Sequence, residues 1–584
     1  MPASEHPLQA TAQPKTSLGE SRWAVYFAAF ALVLAAFCVY SNTFSAPFLL
    51  DDGPAIVDNP TIRHLATALS PPLRTTAGGR PLLNLSFAFN YALGGMTPKG
   101  FHALNLVIHV FAGLTLFGLL RRTLLQPRLK ERMESRHVLP FAFVVAALWA
   151  LHPLQTESVT YIVQRAESMM GLFYLLTLYF FIHGVQSNTP IRWQVASVLA
   201  CLLGTVSKEV IVSAPVITFL YDRTFVADSF SETWKKRWPF YLSLGATWIV
   251  LGYSVLSAGG NRGGSAGFDV GTNGWAYYLT QFRAVTNYLS LSVWPRPLIF
   301  EYGTEWVTGA AQVAPHALIV FALLVGTAVS LWRWPVIGFI GAWFFAMLAP
   351  TSLVPGTTQM IVEHRMYLSL AAVIVLEAIV LYSVWGRKGL LVLLMLAVGM
   401  GVLTHRRNED YASELAIWSD TVAKRPSNAL AYNNLGFSLQ RSGRNDEALA
   451  RYQQALQLRP DYVEAHNNIG AACFLAGRFS ESIVHYEAAL RLSPDNVETH
   501  NGLGTALFRA GQQQDAIAHY ERALRLKPDY AEAHNNLGNV LLLTGHASEA
   551  IGHYEEAVRL KPDYQQARNN LARARAVGGG RANR

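Results

Sequence analysis

Residues 461–494 read DYVEAHNNIGAACFLAGRFSESIVHYEAALRLSP, and the pattern returns at a fixed interval of 34 residues. Pro426, Pro460, Pro494, Pro528 and Pro562 keep one register, and Gly443, Gly477, Gly511 and Gly545 keep another. Tyr452, Tyr486, Tyr520 and Tyr554 recur likewise, as do Ala455, Ala489, Ala523 and Ala557. Glycine in mid-unit marks a turn that needs either close helix approach or left-handed backbone. Proline at the end of the unit stops a second helix. Each unit is therefore a pair of helices, and the units stack because no single pair can bury its own apolar face.

That spacing is the tetratricopeptide repeat's. Four complete repeats fill 429–562. A degenerate half-repeat precedes them inside a connector, 405–428, with Trp418 at the tyrosine position and Pro426 at its end. In the tail, 563–584, a helix from Tyr564 to about Ala576 is expected to cap the last apolar face. Asn433-Asn434, Asn467-Asn468 and Asn535-Asn536 recur at matching positions, with Asn501-Gly502 as the variant third pair. Asparagine is a poor helix former, so its repeated use wants a reason. A ladder of amides on the inner surface can bind the backbone of an extended acceptor polypeptide; the alternative is consensus filling with no ligand.

Outward from the repeats the composition inverts. The chain is 51% hydrophobic and 15% charged overall, and residues 23–404 are a series of apolar runs near the ~20 residues that cross a bilayer. About eleven spans are expected, near 23–43, 103–120, 138–152, 168–186, 192–207, 210–221, 238–257, 314–332, 335–352, 366–385 and 389–404. The first reads as an uncleaved signal anchor behind a cytoplasmic tail, 1–22, rather than a long signal peptide. Net charge is +9, but its placement argues against a nucleic-acid partner. Arg121, Arg122, Arg128, Lys130, Arg132 and Arg136 share one short loop, Lys235 to Arg237 another, and Arg387 and Lys388 a third. Such clusters mark the cytoplasmic face. With the N-terminus inside, the repeats lie outside, although Arg406 and Arg407 run against the bias. Tyr277–Val293 carries Gln281 and Arg283 and is expected as an interfacial helix on the outer face. The three cysteines, Cys38, Cys201 and Cys473, build neither a disulfide framework nor a metal site.

The outer loops hold the chemistry. Asp51 and Asp52 follow the first span, in Pro47-Phe48-Leu49-Leu50-Asp51-Asp52-Gly53, where an acid pair is costly unless water, a cation or a substrate compensates it. A carboxylate here can take the proton of an acceptor hydroxyl as the anomeric carbon of a lipid-linked sugar is attacked; a hydrated loop acid or a helix cap is the plain alternative. Arg80, Arg165, Lys208 and Arg365 could offset the charge of a departing lipid phosphate, or simply snorkel to headgroups. His102, Asn105 and His109 fall on one helix face, as cavity walls or as ties between spans. His152, Glu157, Glu167, Glu209, Glu363 and His364 are placed on the same outer side. No metal-ligand spacing is diagnostic, His64 beside the aspartates included.

The ordered set resembles the transmembrane-and-TPR O-mannosyltransferases (the TMTC family), within the GT-C class of glycosyltransferases. It runs from Asp51-Asp52, Ile56 and Asn59-Pro60 through Arg80-Pro81-Leu82, His102, Asn105, His109, His152-Pro153, Glu157, Arg165 and Glu167. It continues with Ser207-Lys208-Glu209 and Glu363-His364-Arg365-Met366-Tyr367. The resemblance implies an all-α protein, a polytopic GT-C-type membrane domain followed by a TPR solenoid. It implies a polyprenyl- or dolichyl-phosphate mannose donor, Ser or Thr hydroxyls as acceptors, and inversion at the anomeric carbon. Asp51 or Asp52 would act as base or orient the acceptor, and Arg365 with Arg165 or Lys208 would hold the phosphate. Four repeats and short loops are lean for a eukaryotic member. The expected setting is therefore a bacterial inner membrane with periplasmic repeats, or the ER membrane with luminal repeats in a eukaryote. Neither donor sugar nor metal need is legible. Two rivals remain: transfer to a lipid-linked or envelope glycan, and a non-catalytic membrane scaffold. A scaffold has no use for so many outward ionisable groups, which favours the enzyme.

Overall fold

The computed structural model describes residues 21–73, 75–131, 133–257, 274–303, 307, 309–355 and 361–582. Arg132 and nearly all of the 1–22 tail lie outside the described residues. Every regular element among those described is helical. The chain forms two compact units, Met1–Ile417 and Trp418–Arg584, and their boundary falls within the 405–428 connector.

In the first unit eight helices are long and apolar enough to cross a membrane: Arg22–Ser45, Pro98–Leu124, Ile162–Val185, Phe230–Ser257, Ala310–Arg333, Pro335–Leu353, Glu363–Trp385 and Arg387–Glu409. A ninth is possible if Ser135–Ala150 and Pro153–Thr160, bent by 53°, count as one broken span. The expected eleven are not reached by length and apolarity. The runs at 192–207 and 210–221 fold as Pro190–Thr205 and Ala214–Phe225, of 16 and 12 residues. At 1.5 Å per residue they extend only ~24 and ~18 Å, short of the ~30 Å hydrocarbon core. The first packs on Arg165–Val185 by its small residues and leaves Ile191, Val195, Leu199 and Leu203 exposed, whereas the second is largely buried and packs on Pro335–Leu353.

Local chemistry explains where elements begin. Pro81, Pro98, Pro190 and Pro335 each open a helix, where the missing N–H is no loss. Pro153 restarts the chain after the Ala150 helix end and produces the bend. The interior closes on aromatics. His109 stacks on Trp149 with centroids 5.3 Å apart, and the Trp149 indole donates to the Tyr367 carbonyl at 2.8 Å. Gly171 admits the Tyr367 ring, since a Cβ there would stand 2.5 Å from it. Gly274–Val293 is one helix that buries a face including Gln281, with Arg283 half-buried, and packs on Ala310–Arg333 and Met366–Trp385.

The second unit is the repeat array. Its helices alternate from Ala429–Arg441 and Asn445–Leu458 to Ala531–Leu543 and Ala547–Leu560. Gly443, Gly477, Gly511 and Gly545 have φ of 78°, 75°, 83° and 90°, so left-handed backbone is the reason for that series. Close approach belongs to a different series, Gly436, Gly470, Gly504 and Gly538, where an added Cβ would lie 2.7–2.9 Å from the rings of Tyr452, Tyr486, Tyr520 and Tyr554. The last helix, Gln565–Ala582, packs on Ala547–Leu560 and buries Ala567 and Ala574.

Candidate active site at one end of the membrane unit

Asp51 and Asp52 are adjacent in sequence and opposite in environment. Leu50 precedes them with φ of +44°, a left-handed conformation that costs a non-glycine residue on the order of 1–3 kcal/mol. The turn it makes sends Asp52 inward and leaves Asp51 exposed. Asp52 accepts the Leu49 N–H at 2.9 Å and the Val163 N–H at 2.8 Å. It therefore closes its own loop and ties it to the turn Ile162–Gln164. Burial pushes its pKa up to about 8, against the pull of those two donors. Asp51 gives its N–H to the Tyr161 hydroxyl at 2.9 Å and receives a long bond from the Thr76 hydroxyl at 3.5 Å. The protein mass around its carboxylate raises its pKa, and Thr76 and His364 partly offset that.

A second strand of contacts leads away from Asp51. Arg80 donates to the Thr76 carbonyl at 3.0 Å and meets Glu209 at 3.4 Å. Beside it Lys208 and Glu167 form a buried ion pair at 2.6 Å, with side chains 7% and 3% exposed. Gly79, Arg80, Lys208 and Glu209 line one small pocket together with Ser254. Arg365 hydrogen-bonds Tyr277 and lies in electrostatic range of Glu167 and Tyr288.

Other candidates serve as ties. Arg165 is fully buried, donating to Asn105 Oδ1 at 2.6 Å, Ser86 Oγ at 3.0 Å and the Phe101 carbonyl at 2.9 Å, with its guanidinium over Phe87. His102 reaches the Ala46 carbonyl at 3.0 Å, while His109 bridges Tyr367 and the Ala150 carbonyl, both at 2.9 Å. His152 accepts the Leu154 N–H on Nδ1, so its Nε2–H donates to the Ser292 carbonyl at 3.1 Å. Glu157 receives the His364 N–H at 2.9 Å and its Nδ1 at 2.7 Å. Glu363 accepts from the Ile299 N–H at 2.6 Å and Tyr302 at 3.0 Å, with Arg407 at 3.7 Å. Thus Arg407, which ran against the charge bias, is drawn inward by Glu363 and Asp410.

Glu301 was not singled out by sequence. It is buried, accepts the Gly303 N–H at 3.0 Å, and burial raises its pKa to about 7, with Glu157 and Asp51 adding to the shift. One acid between Phe300 and Tyr302 offers no spacing to notice. Tyr161 and Thr76, which frame Asp51, are equally silent in sequence.

In the repeat unit the asparagines bond to one another. Asn468 donates to Asn433 at 2.9 Å, Asn536 to Asn501 at 3.0 Å and Asn570 to Asn535 at 2.9 Å, while Thr499 donates to Asn467 at 3.0 Å. Asn433 and Asn535 are buried; Asn434, Asn467, Asn468, Asn501 and Asn536 are half-buried. Register between repeats is thus one physical reason for this residue type. The half-buried amides keep capacity for a further bond.

Apolar helices of spanning length, a polar cluster gathered at one end of them and a helical repeat array together make an integral membrane protein of the TPR-bearing class. Tetratricopeptide repeat models match residues 427–495 and 531–564, and a TPR repeat model matches 504–545. The chain is homologous to the TMTC protein O-mannosyltransferases, at 23–34% identity over as much as 73% of its length. Protein O-mannosyl-transferase Tmtc1 of Drosophila melanogaster is 28% identical over 51% of this chain and 37% of its own. F38B6.6 of Caenorhabditis elegans is 24% identical over 73% and 62%, and TMTC3 of Mus musculus 24% identical over 71% and 49%. The chain therefore matches between 37% and 62% of the length of these three relatives. Among solved structures, the TPR protein YrrB aligns with 28% of this chain and 84% of its own, at 24% identity and a TM-score of 0.25.

Proposed function

We propose that the membrane unit transfers a sugar, mannose by kinship with its relatives, from a polyprenyl-phosphate donor to Ser or Thr hydroxyls of a polypeptide. Asp51 is the base in this reading. The observation that carries it is the division of labour between the aspartates: Asp52 is buried with both oxygens engaged by N–H groups, whereas Asp51 stands exposed at the same turn. A carboxylate with a raised pKa takes a hydroxyl proton more readily than an ordinary surface acid. Arg80, Lys208 and Arg365 supply the positive field that a departing phosphate needs. Arg165, His102, His109 and His152 hold the wall, and the pairs Glu157–His364 and Glu363–Arg407 fix the turn that presents Arg365.

The repeats recruit the acceptor, with the half-buried asparagines as backbone readers. In a bacterium the site and the array face the periplasm; in a eukaryote they face the ER lumen. The test is transfer of labelled sugar from synthetic polyprenyl-phosphate donors in liposomes. Asp51→Asn should lower the rate by about 100- to 10,000-fold, the usual span of general-base loss, with donor binding retained. A rate within threefold of wild type would refute Asp51 as base. Transfer to a lipid-linked glycan but to no peptide would move the acceptor to the rival class.

A further inference from the structure

At the other end of the same helices lies a cavity of about 660 Å³. On Pro98–Leu124 its lining begins at Leu116, fourteen residues beyond His102 and so ~21 Å further along the axis. The cavity and the carboxylate cluster therefore face opposite leaflets. Its walls are apolar, among them Leu120, Phe225, Ile340, Trp343 and Val375, and two cations, Arg128 and Arg333, line it as well.

Three observations place its mouth at headgroup level. Trp334 lines it and is 60% exposed, next to the exposed Trp332. Tyr382, also in the lining, accepts or donates a 2.9 Å bond with His137. Aromatic collars of this kind sit at the membrane–water boundary. Arg128, with Lys130, sits in the short connection between Pro98–Leu124, whose last turn carries Arg121 and Arg122, and Ser135–Ala150, which begins with Ser135 and Arg136. Its guanidinium donates to the Arg223 and Thr224 carbonyls at 3.3 Å and pairs with Asp228, whose side chain is 89% exposed. A phosphate can take the place of that carboxylate without leaving a buried acid unpaired.

We propose that this cavity binds an acyl chain of one anionic phospholipid from the leaflet facing the basic loops, with Arg128 and Arg333 on its phosphate. A basic pocket between spans is a chemistry suited to anionic headgroups. The polyprenyl tail of a donor does not fit the same role, because its phosphate would be held at the far leaflet from the proposed transfer site.

The full chain, delipidated in detergent, is exposed to phosphatidylglycerol, phosphatidylcholine or a synthetic polyprenyl phosphate, and retained lipid is counted by native mass spectrometry. Wild type should keep one phosphatidylglycerol with about 30-fold preference over phosphatidylcholine, the effect of two surface cations. The paired substitutions Arg128→Ala and Arg333→Ala should erase that preference. Ala372→Phe, which fills the cavity, should reduce retention of both phospholipids. As a check that does not depend on the arginine or Ala372 variants, acyl-brominated phosphatidylglycerol should quench a tryptophan component that Trp343→Phe removes. Equal retention of the two phospholipids, an unchanged preference in the double arginine variant, retention of the polyprenyl phosphate that Ala372→Phe abolishes, or no Trp343 quenching would each overturn the proposal.

Discussion

Removing the Lys208 ammonium while leaving Glu167 in place is the sharpest probe of the site, because structure and chemistry give different answers for the double variant. The pair is 2.6 Å apart with side chains 7% and 3% exposed, so Lys208→Met strands a carboxylate out of reach of bulk water. Breaking a buried pair from one side costs about 3–5 kcal/mol. Arg365 lies in electrostatic range of Glu167 and takes up part of the burden, which puts the expected loss near the lower bound, about 3 kcal/mol, or about a 100-fold shift in the folding equilibrium. Glu167→Gln added to Lys208→Met removes the stranded charge and should return stability to within about 1 kcal/mol of wild type. Denaturant unfolding in micelles, followed by tryptophan fluorescence, reads both values. Sugar transfer then separates the roles: stability restored without transfer assigns Lys208 to the donor phosphate, and restoration of both assigns it to the fold. A single-variant loss below 1 kcal/mol, or a double variant no better than the single, would refute the buried-pair reasoning.

Asp52→Asn keeps the shape but turns an N–H donor toward one of the two backbone N–H groups it serves. A loss of about 1–3 kcal/mol and faster proteolysis of the 46–59 loop should follow; unaltered cleavage would refute its tethering role. Gly470→Val places a Cβ 2.9 Å from the Tyr486 ring and should destabilise the array by about 1–3 kcal/mol, read as a lower thermal midpoint by circular dichroism. The array should also weaken in acid. His466, His500 and His534 give Nε2–H to the carbonyls of Pro460, Pro494 and Pro528, leaving Nδ1 to accept from His485, His519 and His553 at 2.9–3.1 Å. Burial first, then the facing histidine, lowers the pKa of His485, His519 and His553 below the usual 6.5. Nearby Glu481, Asp515, Glu487, Glu549 and Glu521 only partly offset this. The unfolded chain then binds protons that the folded one refuses, so the contribution is whole above pH 6.5 and is lost as pH falls below it. Melting at pH 7.5 and 5.5 checks the sign; a midpoint that rises on acidification would contradict it.

What the chain states on its own is whatever repeats or persists. A 34-residue period specifies the solenoid, since each unit needs its neighbour's apolar face, and the hydropathy of residues 23–404 specifies a membrane unit. Both are local properties summed over many residues, and they survive any single misreading. The count of spans does not, because Ala214–Phe225 is apolar for protein packing and Pro190–Thr205, though its large apolar residues stay exposed, is only 16 residues long, and hydropathy marks neither difference. The site divides in the same way. The ionisable residues could be gathered to one end from sequence, but not sorted, because sorting depends on which partner each meets across hundreds of residues. Thr160 reaches Asn408, Glu157 reaches His364, and Asp52 reaches Val163. Adjacent aspartates are equivalent in a string of letters. Only the left-handed turn at Leu50, held by tertiary bonds on both sides, makes one of them a fastener and leaves the other exposed.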